Sequence, residues 1–134
     1  VILDWSGTLV EGDFNLLSAA FEYYKEHIPE RIQIVGGYIM VARNGLVPVF
    51  YAPGSLVTTT SAQHARIWEK TVQFRSVWAA AFSVRELSSV CLPPVDVLSV
   101  DVEGCSVPVA RALIQVYRPK LLCVECAPGC RFRG

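Results

Sequence analysis

The chain alternates between short apolar, β-branched runs and segments whose apolar residues recur every three or four positions. That alternation predicts strands interleaved with amphipathic helices. Val1 to Trp5 is an apolar segment closed by Ser6-Gly7, and Thr8 to Glu11 then predicts a short buried strand ending in Gly12-Asp13. Asp13 is suited to cap the next helix, because its carboxylate accepts that helix's free N–H groups. The helix is expected over about Phe14 to Glu26, with Leu17, Ala20, Phe21 and Tyr24 on one face and Pro29 as the stop. Arg31 to Val41 predicts a strand interrupted by Gly36-Gly37. Asn44-Gly45 then predicts a two-residue hairpin turn into a returning strand, Leu46 to Ala52, with Pro48 at an edge or bulge.

The second half repeats the pattern. Gly54 to Lys70 is rich in Ser and Thr and predicts a loop or short helix, and Val72 to Ala80 returns to strand character. Ser83 with Glu86 three residues on predicts a capping box at the head of a helix reaching about Val90. After the Pro93-Pro94 linker, Val95 to Asp101 predicts a central strand covered on both faces. Ser106 to Tyr117 predicts a helix with Val109, Ala110, Leu113, Ile114 and Tyr117 inward, and Lys120 to Cys126 a further buried strand. Strand–helix–strand units of this kind predict an α/β fold with an open, mostly parallel sheet. In such sheets ligands lie beyond the carboxyl ends of the strands, where this chain places Glu11, Asp101 and Glu125.

Composition narrows the function classes. A length of 134 residues implies one domain, and 52% apolar residues imply a large core, yet no run approaches the roughly 18 needed to span a bilayer. Twelve basic and twelve acidic side chains cancel without a basic cluster, so no nucleic-acid surface and no membrane association are expected. No signal peptide is visible at the start. Cys123, Cys126 and Cys130 form a C-x2-C-x3-C run without a fourth ligand in place, so they, Cys91 and Cys105 read as plain thiols rather than a metal site. Reduced thiols imply a reducing compartment and a cytoplasmic location. His27 and His64 read as surface residues, and Trp68 and Trp78 as core or loop anchors.

Two segments carry a resemblance to a known family. Trp5-Ser6-Gly7-Thr8-Leu9-Val10-Glu11-Gly12-Asp13-Phe14 and Val95-Asp96-Val97-Leu98-Ser99-Val100-Asp101-Val102-Glu103-Gly104 resemble the tryptophan-glycine turn and the aspartate-x-glutamate-glycine signature of FkbM-type S-adenosylmethionine-dependent methyltransferases. Arg118-Pro119-Lys120 and Val124-Glu125 follow at the expected distance, and the likeness runs from about Trp5 to Ala127. It implies a Rossmann-like methyltransferase fold incomplete at both ends, with the family's glycine-rich first strand expected before Val1 and further strands after Glu125. The chain is then a single partial domain over 1–134. The resemblance assigns S-adenosyl-L-methionine as cofactor, with Glu11, Asp13, Gly37, Tyr38 and Asp101 toward it: Glu11 for the ribose hydroxyls, and Gly36, Gly37 and Tyr38 for the adenine. Asp101 and Glu103 become candidate general bases for O-methylation of a small-molecule or glycan hydroxyl. Ser99 stands where the family often has lysine, Ser106 replaces a second glutamate, and Gly12 replaces a common proline.

Two other functions compete. Val1 to Val10 resembles the nucleophile motif of haloacid-dehalogenase-type hydrolases, with Asp4 as the attacking carboxylate, although Ser6 takes the place of the second acid. The other reading is a methyltransferase-like domain that has lost its chemistry and serves as an interaction module.

Overall fold

The computed structural model describes residues 5–27, 30–53, 58–69, 71–91, 94–102 and 106–125. Asp4, Glu103, Cys105, Cys126 and Cys130 lie outside this set. The strands are β1 (Gly7–Glu11), β2 (Ile32–Gly36), β3 (Tyr38–Met40), β4 (Gly45–Tyr51), β5 (Thr58–Thr59), β6 (Arg75–Ser83), β7 (Val97–Val100) and β8 (Leu121–Val124). The helices are α1 (Phe14–His27), α2 (Ala62–Trp68), α3 (Val84–Val90) and α4 (Ser106–Tyr117).

The fold is mixed α/β, but among the described residues the strands form three sheets rather than one. β1 pairs parallel with β2, β7 pairs parallel with β8, and the remaining four strands form a mixed sheet in the order β3-β6-β4-β5. Each parallel pair encloses a helix between its strands in sequence, α1 in the first and α4 in the second. The expected hairpin around Asn44-Gly45 does not form. β6 lies between the two strands that were expected to pair, parallel to β3 and antiparallel to β4 over the full length of β4. Two local features explain this outcome. Gly37 turns the chain at φ 150° and leaves β3 three residues long, and the Asn44 amide donates to Glu86 Oε1 at 2.6 Å instead of closing a turn. Pro48 sits as expected for an edge position, since β5 reaches only Phe50 and Tyr51 and no strand flanks that side of Pro48 among the described residues.

One core unites the parts. Ile39 of β3, Val84 and Leu87 of α3, Val100 of β7, and Val109, Ala110, Leu113 and Tyr117 of α4 are all buried together, with Val10 of β1 packed against them. Each of the larger aliphatic side chains contributes on the order of 1.5–3 kcal/mol by leaving water. Of the inward face expected for α4, Val109, Ala110, Leu113 and Tyr117 are buried and Ile114 is only partly so, and α3 begins with the expected capping box: Ser83 Oγ accepts from Glu86 N–H, while Glu86 accepts from Ser83 N–H. The Tyr117 hydroxyl donates to the Cys91 carbonyl at 2.9 Å and ties α4 to the end of α3. Val47, Val49 and Ala81 form a smaller core on the mixed sheet.

Burial corrects several expectations. β7 and β8 are not covered on both faces: Val97, Leu121, Leu122 and Cys123 are exposed, because a helix packs only one side. No residue of α1 is fully buried, and Phe21, expected inward, is 52% exposed. Trp78 stands on an open sheet face opposite Pro48 and is 70% exposed, and Trp68 is exposed as well, so neither anchors a core. Trp68 Nε1 instead donates to His64 Nε2, one turn earlier on α2. Among the described residues no helix is long and apolar enough to cross a membrane.

Candidate functional site

The carboxyl end of β1 is the best-defined cluster of polar groups. β1 stops at Glu11, whose Oε1 accepts the backbone N–H of Asp13 at 2.7 Å and so folds the Glu11-Gly12-Asp13 turn back on itself. Asp13 Oδ1 in turn accepts from Asn15 N–H at 2.8 Å and Leu16 N–H at 3.1 Å, the N-cap expected from sequence. Asp13 Oδ1 therefore serves the start of α1. Glu11 keeps its second oxygen without a hydrogen bond among the described residues, at a half-buried position.

The start of β3 closes over this turn. Gly37 N–H donates to the Glu11 carbonyl at 2.9 Å, continuing the parallel ladder by one residue beyond β2. The Tyr38 ring then lies against Gly12 so closely that a Cβ there would stand 2.5 Å from two ring carbons. Gly12 is thus required by the ring, where a proline or alanine would collide. Burial pushes the Tyr38 phenol up to about 12, with the negative charges of Asp13 and Glu11 adding to the effect. The phenol stays protonated at neutral pH and offers a hydrogen-bond donor beside two carboxylates. The glycine pair expected to admit a ligand is used by the protein itself: Leu17 of α1 packs on Gly36, and Phe82 of β6 packs on Gly37.

The second cluster lies at the ends of β7 and β8. The register places Val100 opposite Val124, so Asp101 and Glu125 are adjacent as both strands finish, joined by Glu125 N–H donating to the Val100 carbonyl at 2.9 Å. Asp101 is exposed. Ser106, the first residue of α4, holds the backbone of Val102. Its Oγ accepts from Val102 N–H at 2.8 Å and donates to the Val102 carbonyl at 2.9 Å, satisfying both backbone groups with one hydroxyl. A serine at the head of a predicted helix is a signal for local side-chain-to-backbone bonds of this kind.

The structure thus brings Glu11, Asp13, Gly37 and Tyr38 into one cluster, and Asp101 and Glu125 into another. Glu11 and Asp101 belong to different two-stranded sheets. What relates them is the shared core, since Val10 precedes Glu11, Val100 precedes Asp101, and both valines pack in the same cluster. Glu103 and Asp4 fall outside the described residues. No protein-family model, curated protein or solved structure matches the chain.

Proposed function

We propose that this chain is part of an S-adenosylmethionine-dependent methyltransferase domain of the FkbM type, with Rossmann-like ancestry, that methylates a hydroxyl of a small molecule or glycan. The observation that carries the reading is Glu11. It is a carboxylate at the carboxyl end of a parallel strand, oriented through one oxygen by its own turn and with the other left to accept hydrogen bonds. That donor-seeking oxygen fits vicinal ribose hydroxyls, which a single carboxylate accepts in the ionised state.

The other residues take roles consistent with their surroundings. Tyr38 would border the adenine, its protonated phenol supplying a donor and its ring an apolar wall, while Gly37, covered by Phe82, positions Tyr38 rather than meeting the ligand. Asp13 acts indirectly, by capping α1 and holding the turn that orients Glu11. Asp101 would take the proton from the acceptor hydroxyl, with Ser106 fixing the backbone that follows it. The cofactor, when bound, supplies an activated methyl group on a sulfonium. Positioning then accounts for much of the acceleration.

Titration calorimetry with S-adenosylmethionine tests the reading. Binding to the wild-type chain and weakening of roughly tenfold or more in Glu11→Ala are expected, since a hydrogen bond to a charged group contributes about 1.5–3 kcal/mol. No heat with the wild-type chain, or equal affinity in the variant, overturns it and favours an interaction module that has kept the sheet without the chemistry.

A further inference from the structure

Asn44 precedes Gly45 at the entry to β4, is exposed, and lies outside the helices and strands. An asparagine followed by glycine is the pair most prone to ring closure, because glycine has no side chain to shield its backbone nitrogen from the asparagine Cγ. Gly45 meets that condition in space as well as in sequence, since apart from its chain neighbours no heavy atom comes within 4 Å of where its Cβ would stand. It also forms the terminal pair of the β4–β6 ladder, opposite Ala81, so fraying of a single pair frees its backbone. The chain has one other asparagine, Asn15, and Leu16 follows it in the first turn of α1.

The Asn44 amide is at the same time a structural link. Its Nδ2 donates to Glu86 Oε1 at 2.6 Å, while Glu86 Oε2 accepts from the Ser83 N–H at 2.9 Å and from the Ser83 hydroxyl at 3.1 Å. One carboxylate thus joins the approach to β4 to the head of α3. The Glu86 carboxyl is held below the usual carboxylate range, first by the Asn44 bond and then by the Ser83 N–H. Glu86 is therefore an anion arranged around a donor at position 44.

We propose that Asn44 is a self-modification site, at which deamidation converts the donor that holds Glu86 into a second carboxylate and breaks the link between α3 and the entry to β4. The Gly45 nitrogen bonds to Asn44 Cγ as the Cγ–Nδ2 bond breaks. Ammonia leaves with the proton that Gly45 gives up, and a succinimide remains. Water then opens either ring carbonyl, giving aspartate or isoaspartate at position 44 and one more negative charge on the chain. Both products lack the Nδ2 donor and set an anion beside Glu86. Isoaspartate also lengthens the main chain by one carbon ahead of Gly45, which shifts the entry to β4. The inference is independent of the methyltransferase reading.

Incubation of the folded chain at mildly alkaline pH, followed by peptide mapping with mass spectrometry, tests the site. Conversion at Asn44 and none at Asn15 is expected, and the more acidic product, separated by anion exchange, should unfold at a lower urea concentration than the starting protein. Asn44→Asp should reproduce that lower midpoint. Adding Glu86→Gln should restore most of the loss, because glutamine keeps the capping-box acceptor and supplies a donor to the new carboxylate. A folded chain that keeps Asn44 intact over a period in which the urea-unfolded chain converts it overturns the proposal. So does an Asn44→Asp midpoint equal to that of the wild type, or a loss that Glu86→Gln leaves unchanged.

Discussion

Gly37 joins the candidate site to the mixed sheet, and replacing it with alanine should be costly for two separable reasons. Its φ of 150° lies where L side chains are strained, and a Cβ would meet Phe82 Cε2 at 2.5 Å, Phe82 Cδ2 at 2.9 Å and the Ala80 carbonyl oxygen at 3.2 Å. The backbone strain is worth about 1–3 kcal/mol. Overpacking against the half-buried Phe82 ring adds about 1–3 kcal/mol. Restricting the unfolded chain returns about 0.4–1 kcal/mol, which leaves a net loss of about 2–5 kcal/mol. Against a typical total of about 5–15 kcal/mol that is a large fraction. Urea denaturation followed by circular dichroism measures it, and the Phe82→Leu background separates the two causes. Removing the ring should recover the overpacking portion and leave the backbone portion. A cost for Gly37→Ala below about 0.5 kcal/mol, or one unchanged in the Phe82→Leu background, refutes the reasoning.

Two further outcomes follow from the described geometry. Ser106→Ala should destabilise the chain by about 1–3 kcal/mol, because both backbone groups of Val102 lose their partner, and hydrogen exchange at the Val102 amide should accelerate. Tyr38 and Tyr117 are both held up at about 12, chiefly by burial, so the folded state keeps two protons that the unfolded chain releases near pH 10. Their stabilising contribution is fully present below about pH 10 and is lost as pH rises toward 12. Melting temperatures should fall across that window, less steeply in Tyr38→Phe, and an unchanged slope in that variant would contradict the assignment.

What was legible in the sequence was mainly local. The α3 capping box needs only Ser83 and Glu86 at a fixed spacing, and the inward face of α4 needs only its own periodicity. The Asp13 cap and the carboxylate ending β1 are local for the same reason. Features set by distant neighbours were read differently. Asn44-Gly45 has the composition of a hairpin turn, but β6, which begins at Arg75, well beyond the end of β4 at Tyr51, supplies a longer partner for β4. The apolar runs of β7 and β8 suggested cover on both faces, since hydrophobicity reports compatibility with burial and not the presence of a covering layer. Gly12 stands out only as a glycine in place of a common proline and Gly37 only as a residue toward the adenine, because the rings that approach them, Tyr38 and Phe82, are fixed by tertiary packing. Ser106 is legible as the start of α4, but periodicity does not say where its hydroxyl bonds, so its contacts with Val102 are visible only in the structure.

The central claim is that the Glu11 carboxylate recognises ribose hydroxyls, and a thermodynamic cycle tests it most directly. Affinity for adenosine and for 2′,3′-dideoxyadenosine would be measured in the wild-type chain and in Glu11→Ala. Removal of the hydroxyls should weaken binding to the wild-type chain by roughly tenfold or more, as expected for hydrogen bonds to a charged group. The same removal should have almost no effect in Glu11→Ala. Equal losses in the two proteins, or no preference for adenosine in the wild-type chain, would contradict the account.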